Sequence, residues 1–127
     1  MQKGVIILGH GSRYQEANRE VFQITEQVKT VETDAKVETG FLQFAEPTLP
    51  QIVEEMNQQG VKVIIVVPLL LTLGSHIQQD LPILLQAQKR LYPHITFQLA
   101  PHLGVDRRIA EIILDRVNQG KEIGMEN

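Results

Sequence analysis

The chain of 127 residues contains no cysteine, and this absence removes several kinds of chemistry at once. A protein without thiols forms no disulfide, binds no metal through thiolate and has no cysteine nucleophile. The absence fits a reducing compartment, and the first residues show no signal-peptide pattern. We therefore expect a cytoplasmic protein.

Long hydrophobic runs and clusters of positive charge are also missing. The longest apolar stretch, residues 63–71, is far too short to cross a membrane. Lysines and arginines are scattered along the chain, and the formal net charge is −3, which argues against a nucleic-acid partner. The expected class is a soluble protein that binds neither a membrane nor a nucleic acid.

What the sequence does contain is an alternation of strand and helix patterns, repeated four times. Apolar, β-branched runs that are typical of buried strands occupy residues 4–8, 36–42, 61–67 and 95–99. A helical pattern follows each run. The first of these patterns is an apolar stripe in steps of three and four, formed by Ala17, Val21, Ile24, Val28 and Val31.

The other three helical patterns have recognisable ends. The second stops at Gly60, and the third covers residues 80–91, with Asp80 as its expected cap and Pro82 in its first turn. The fourth covers residues 106–118. Its expected inward-facing residues are Ala110, Ile113, Leu114 and Val117.

This alternation predicts an α/β fold. We expect a single-domain three-layer sandwich with a four-stranded parallel sheet of flavodoxin-like type and helices on both faces. The domain is predicted to span residues 1–119, and residues 120–127 are predicted to form a frayed C-terminal tail.

Two histidines fall in loops that such a fold brings together. Ligands of open parallel sheets bind at the carboxyl ends of the strands where the strand order reverses, here between the first and third strands. The loops after those strands contain Gly9-His10-Gly11-Ser12 and Gly74-Ser75-His76. Imidazole binds metals and accepts protons near neutral pH, so His10 and His76 are predicted to form a metal or acid–base site.

Four motifs, in register along nearly the whole chain, point to a family. They are Leu8-Gly9-His10-Gly11-Ser12-Arg13, Phe41-Leu42 followed by Ala45-Glu46-Pro47, Val67-Pro68-Leu69-Leu70-Leu71, and Gly74-x-His76-x-x-x-Asp80-Leu81-Pro82. Together they resemble the small class II tetrapyrrole chelatases of the CbiX and SirB type. The resemblance implies a chelatase-like version of the fold and a homodimer.

The resemblance also implies an activity. Members of this family insert cobalt or ferrous iron into sirohydrochlorin on the way to cobalamin or siroheme, and related members insert nickel. The expected activity is therefore that of a lyase with sirohydrochlorin and a divalent metal as substrates and no organic cofactor. One histidine pair accepts Co²⁺, Fe²⁺ and Ni²⁺ alike, so the metal stays open.

Carried onto this sequence, His10 and His76 are the expected catalytic and metal-binding pair. Family members often have a glutamate where this chain has Gln43. An amide can offer its oxygen to a metal but cannot take a proton, so we expect Gln43 among the metal ligands only. Whether the histidines or Glu46 accept the pyrrole protons stays open.

A wider set of residues is expected to hold the tetrapyrrole. Arg13 suits its peripheral carboxylates, and the apolar loop of residues 69–73 suits its flat macrocycle. The other expected contacts are Gly11, Ser12, Glu46, Leu71, Gly74, Ser75 and His102. We expect His94 to lie on the surface at the opposite edge of the sheet.

Three alternatives fit the same residues. The Gly-His-Gly-Ser-Arg loop is compatible with a phosphate-binding hydrolase that uses His10 as nucleophile, although the third glycine of a dinucleotide motif and the lysine of a P-loop are missing. Gln43 is compatible with a non-enzymatic carrier of Co²⁺ or Ni²⁺. The third alternative is an interaction domain whose histidines have no metal role.

Overall fold

The computed structural model describes residues 2–124, within which four strands and four helices alternate. Their order is β1 (Lys3–Gly9), α1 (Gln15–Val31), β2 (Lys36–Phe41), α2 (Leu49–Gln58), β3 (Val63–Pro68), α3 (Ser75–Leu91), β4 (Thr96–Leu99) and α4 (Arg107–Gln119). The strands form one parallel sheet in the order β2-β1-β3-β4, with the reversal of order between β1 and β3. The predicted α/β fold class is confirmed.

The predicted strand ends agree with the structure within two residues. Residues 120–124 form no regular secondary structure, whereas residue 1 and residues 125–127 of the predicted tail lie outside the described range. The division into a domain of residues 1–119 and a tail stays a prediction. Among the helices of the described residues, none has the length and apolarity needed to cross a membrane.

The main core lies between the sheet and the pair α2 and α3. Ile6 and Leu8 of β1 and Ile64 and Val66 of β3 are fully buried there. They pack against the apolar faces of the two helices, formed by Ile52, Val53, Met56, Leu81 and Leu85. Burial of each such side chain contributes about 1.5–3 kcal/mol, so this face supplies most of the hydrophobic stabilisation.

Helix α1 packs on the other face of the sheet, over β1 and β2, but its inner face differs from the prediction. Only Val21 and Val28 of the predicted apolar stripe are half-buried, whereas Ala17, Ile24 and Val31 are exposed. The predicted helix is confirmed, but its apolar stripe is not its most buried face. The most buried side chains of α1 are polar, Asn18 and Thr25. Each forms a hydrogen bond with a residue outside α1, Asn18 with Ser12 and Thr25 with Thr39.

Helix α3 begins earlier than predicted. It runs from Ser75, with Gly74 as its N-cap, so Asp80 lies inside the helix and does not cap it. Pro82 therefore falls in the helix interior rather than in the first turn. The carbonyl of Gln78, which loses its partner there, belongs to an exposed residue that water can reach.

Helix α4 has the predicted bounds within one residue, and Asp106 caps it by accepting the backbone N–H of Arg108 at 2.9 Å. The Arg108 guanidinium also contacts the Asp106 carboxylate and holds the pKa of that carboxyl below its usual range. The predicted inward orientation of the helix is wrong. Ala110 is exposed, and Ile113, Leu114 and Val117 are 58%, 63% and 69% exposed.

The sheet face opposite α2 and α3 is open along β3. On this face, Val63, Ile65 and Val67 of β3 lie beside Val5 and Ile7 of β1. The three β3 residues stay half-buried because α1 packs over β1 and β2 and not over β3. Hydrophobic periodicity shows that a helix has an apolar face. It does not show which surface covers that face.

A buried pair of hydroxyl groups joins α1 to β2, and we expect its two members to contribute unequally to the unfolding free energy. Thr39 donates its Oγ1 hydrogen to Thr25 Oγ1 at 2.7 Å, and Thr25 donates its own to the Val21 carbonyl at 3.1 Å. Thr25→Val leaves the Thr39 hydroxyl without a partner and should cost about 1–3 kcal/mol of unfolding free energy, whereas Thr39→Val should cost about 0.5–1.5 kcal/mol. The double valine variant should be nearly as stable as the wild type. Urea denaturation of the three variants measures this, and equal costs for the two single variants would contradict it.

Candidate functional site

The carboxyl ends of the four parallel strands lie along one edge of the sheet, and the loops there carry the predicted site residues. Backbone hydrogen bonds hold these loops side by side. The N–H groups of Leu42 and Gln43, after β2, donate to the carbonyls of Gly9 and His10 at 3.0 and 3.2 Å. After β3, Leu69 N–H donates to the Leu8 carbonyl at 2.8 Å. The edge is therefore a continuous row of loops.

His10 stands at the end of β1, beside the reversal of strand order. Its ring is exposed, and its Nδ1 lies 3.1 Å from the side-chain nitrogen of Gln43 and 3.4 Å from the Gly11 carbonyl oxygen. Its other nitrogen, Nε2, has no hydrogen-bond partner among residues 2–124. Of the predicted metal-binding residues, His10 and Gln43 are thus brought into contact.

Gly11 allows this close approach of the two loops. Its φ of +90° is in the left-handed region, and a Cβ atom at this position would lie 1.6 Å from the carbonyl oxygen of Gln43. Glycine is therefore the residue that permits both the backbone conformation and the neighbouring loop. Gly11 is part of the site through its missing side chain.

Asn18 anchors the loop from α1, and no sequence motif pointed to this residue. Its Oδ1 accepts the Ser12 N–H at 2.9 Å and its Nδ2 donates to the Ser12 carbonyl at 2.7 Å. Ser12 Oγ accepts the Tyr14 N–H at 3.0 Å, although the N-cap of α1 is Tyr14 itself. The one available signal was a polar side chain on the face of α1 that turns toward the sheet.

Arg13 and Phe44 form a second missed contact. The guanidinium carbon of Arg13 lies 4.5 Å from the centroid of the Phe44 ring, in a cation–π arrangement, and both residues are exposed. Phe44 has a φ of +62°, an uncommon conformation for a non-glycine residue. Arg13 has no carboxylate partner among the described residues, so its charge stays accessible.

Glu46 lies in the same loop as Gln43 and Phe44 and is exposed. It lines a groove of about 460 Å³ between α1 and the loop before α2, together with Gln15, Asn18, Phe22, Phe44, Ala45 and Thr48. Its carboxylate makes no hydrogen bond or ion pair with another residue in the described part of the chain. Thr48, not Glu46, caps α2, with Gln51 completing a capping box.

His76 lies in the first turn of α3 rather than in a loop, and it is exposed. Its neighbours Gly74 and Ser75 are exposed as well, and within residues 2–124 nothing beyond the adjacent residues lies within 4 Å of where a Gly74 Cβ would stand. Leu71, in the loop between β3 and α3, is 60% exposed. The first turn of α3 thus presents His76 beside open, partly apolar surface.

The other two histidines lie further away. His102 follows β4, beyond β3, and its half-buried ring packs against Gly104. His94 precedes β4 at the opposite edge, exposed, with Nε2 2.6 Å from Asn57 Oδ1. Within residues 2–124, no three His, Asp or Glu side chains converge as a complete metal site.

Known proteins are similar to this chain in sequence and in fold. The chain matches the CbiX family over residues 4–120. It is 32% identical to a sirohydrochlorin cobaltochelatase of Methanopyrus kandleri, over 91% of this chain and 94% of the relative. It is 33% identical to a sirohydrochlorin ferrochelatase of Priestia megaterium, over 91% of this chain and 43% of the relative.

A solved structure has the same fold. The sirohydrochlorin chelatase SirB from Bacillus subtilis subspecies spizizenii, in complex with cobalt, superposes with a TM-score of 0.87 at 29% identity. The superposition covers 94% of this chain and 51% of that chain. This chain therefore has the length of the first relative and about half the length of the two longer proteins.

The geometry at Gly11 predicts a large effect of adding one methyl group. Gly11→Ala should cost several kcal/mol of unfolding free energy, because strain at positive φ adds to the overlap with the Gln43 carbonyl. Gly60→Ala is the matched control, since Gly60 has a φ of +82° and no atom within 4 Å of a Cβ. It should cost only the strain of about 1–2 kcal/mol. Thermal and urea unfolding compare the two, and an equal loss of stability would disprove the predicted overlap.

Proposed function

Because the chain belongs to the CbiX family, we propose that it is a metallochelatase that inserts Co²⁺ or Fe²⁺ into sirohydrochlorin, in cobalamin or siroheme biosynthesis. The observation that carries this proposal is the position of His10. Its exposed ring stands at the reversal of strand order, where open parallel sheets bind ligands, and its Nε2 has no partner in the described structure. A cytoplasmic location stays a prediction.

In this proposal His10 and His76 bind the incoming metal. Imidazole nitrogen suits divalent ions of intermediate softness such as Fe²⁺, Co²⁺ and Ni²⁺. Few protein ligands leave coordination positions open, and the metal needs open positions while the tetrapyrrole nitrogens replace the protein ligands. An exposed pair of histidines supports this kind of transfer better than a closed, buried site does.

Insertion also requires that two pyrrole N–H protons leave. The ring nitrogen of His10 or His76 that would release the metal to the tetrapyrrole is then free to accept one of these protons. The exposed Glu46 carboxylate, which lines the groove beside the Gln43 loop, is a second acceptor. Gln43 cannot serve here because an amide does not take up a proton in this pH range.

The surroundings of His10 and His76 support binding of a flat molecule with peripheral carboxylates. Arg13 offers an accessible guanidinium for a carboxylate, and the exposed side chains of Phe44 and Leu71 offer apolar area for the macrocycle. The proposed contacts also include Gly11, Ser12, Gly74, Ser75 and His102.

One alternative loses support from the structure. A phosphate-binding loop needs free backbone N–H groups. Here the Ser12 N–H donates to Asn18 and the Tyr14 N–H donates to Ser12 Oγ, so two N–H groups of the loop are already used. The metal-carrier alternative keeps its support, because Gln43 provides no proton acceptor.

An insertion assay tests the proposed function. The wild type should accelerate insertion of Co²⁺ or Fe²⁺ into sirohydrochlorin, followed by absorbance, and His10→Ala or His76→Ala should lower the rate by about 10²–10⁴-fold. His94→Ala, at the opposite edge, is the matched control and should keep the wild-type rate. Wild-type rates equal to the background with Co²⁺, Fe²⁺ and Ni²⁺ would overturn the proposal. Tight Co²⁺ binding with background rates would select the carrier.

We also propose that the partner of this chain is a second copy of itself. Ile113, Leu114 and Val117 of α4 and the half-buried Val63, Ile65 and Val67 of β3 leave an apolar helix face and an apolar sheet face without a cover among the described residues. SirB has about twice the length of this chain, so two copies of this chain together match the length of one SirB chain. Burial of these faces between two copies supports a homodimer.

The oligomeric state tests this part of the proposal. The wild type should sediment as a dimer, and Ile113→Asp should shift it to a monomer, because a carboxylate cannot be buried in an apolar contact without a large cost. Gln119→Glu, on the side of the same helix opposite Ile113, Leu114 and Val117, adds the same charge and should stay dimeric. Sedimentation velocity over a range of protein concentrations measures this. A monomeric wild type, or a dimeric Ile113→Asp variant, would contradict the proposed interface.

A further inference from the structure

We propose that Gln43 is a positioning residue, whose side-chain oxygen accepts a hydrogen bond from His10 Nδ1–H and thereby holds an unprotonated Nε2 toward the metal. Gln43 then serves the metal through His10 rather than as a ligand. The inference rests on the proposed function in one respect, namely that His10 binds a metal. The hydrogen bond itself stands on the geometry of the two loops.

The backbone brings the two side chains together before any side-chain contact is made. The Gln43 N–H donates to the His10 carbonyl at 3.2 Å, as a continuation of the pairing between β1 and β2. The missing Cβ of Gly11 lets the Gln43 carbonyl approach. The side chains of His10 and Gln43 therefore leave neighbouring positions on two tied loops.

The surroundings of Nδ1 determine which ring nitrogen carries the proton. The Gly11 carbonyl oxygen lies 3.4 Å from Nδ1, and a carbonyl oxygen can only accept a hydrogen bond. This contact favours the tautomer with a proton on Nδ1. A proton there would face the Gln43 amide nitrogen, which lies 3.1 Å from Nδ1 and is itself a donor. The amide satisfies the proton only by presenting its oxygen instead.

The amide can present that oxygen without moving the loop. Its oxygen and nitrogen are nearly equal in size, so a half-turn about the last side-chain bond exchanges them. In the orientation that the structure shows, the amide nitrogen faces Nδ1, and a hydrogen bond donated from it would place the ring proton on Nε2 and remove the lone pair that a metal needs. It also leaves the Gly11 carbonyl facing a lone pair. Both the backbone carbonyl and the metal chemistry thus favour the same tautomer.

A neutral partner has a particular consequence for this chain. Histidines that bind metals commonly donate their other N–H to a carboxylate or a carbonyl, which orients the ring and raises its basicity. Gln43 supplies the orientation without a negative charge. Gln43→Glu should therefore keep the Nδ1–H tautomer and strengthen metal binding. The apolar variant Gln43→Leu, of similar size, should shift the tautomer and weaken metal binding.

Nitrogen-15 NMR of the histidine rings, at a pH where the rings are neutral, tests the hydrogen bond in the metal-free protein. Wild type and Gln43→Glu should show His10 as the Nδ1–H tautomer, and Gln43→Leu should shift it toward Nε2–H. His94 is an internal reference, because its Nε2 lies 2.6 Å from the Asn57 oxygen and should carry the proton. Gln23→Leu, on the exposed side of α1, is the matched control and should leave His10 unchanged.

Titration with Co²⁺ connects the tautomer to the metal. Gln43→Leu should weaken Co²⁺ binding by about 10-fold or more, and Gln23→Leu should not change it. A wild-type His10 with the proton on Nε2, an unchanged tautomer in Gln43→Leu, or unchanged Co²⁺ affinity in that variant would each overturn the inference. Failure of the chelatase proposal gives a different result, namely background insertion rates in a protein whose His10 still shows the Nδ1–H tautomer.

Discussion

The candidate site depends on the backbone pairing that continues between the first two strands after they end. Two hydrogen bonds join Leu42 and Gln43 to Gly9 and His10, and they place the loop after β2 directly beside the loop after β1. Gly11 is the condition for this pairing, since any side chain there would overlap the neighbouring carbonyl. The position of the His10 ring and the partner of its Nδ1 both follow from this one piece of backbone geometry.

The polar inner face of α1 links this loop to the stability of the fold. Asn18 uses both ends of its amide on the backbone of Ser12, and Thr25 joins the helix to Thr39 of β2. Buried polar groups cost free energy unless they are paired, and here each of them is paired with the element that it positions. Helix α1 thus buries less apolar area than α2 and α3, and its polar contacts instead position the Ser12 loop and β2.

Much of the fold and part of the site follow from local properties of the sequence. Apolar, β-branched runs mark the four strands, and Gly60 marks the end of α2, because these signals act within a few residues. The start of α3 could not be predicted in this way, since the Gly74 N-cap has no side-chain bond and Pro82 suggested a later first turn. Asn18 and Phe44 were missed because their partners, Ser12 and Arg13, are defined by the fold of the loops.

By itself, the sequence determined the α/β alternation, the positions of His10 and His76 after the first and third strands, and the glutamine at position 43. These features need only the pattern of residues and the general geometry of parallel sheets. Only the tertiary structure decided that Gln43 contacts His10, that α1 turns a polar face inward, and that the apolar face of α4 stays exposed. The physical reason is that each of these depends on distant segments meeting, and a local pattern describes one side of a contact but not its partner.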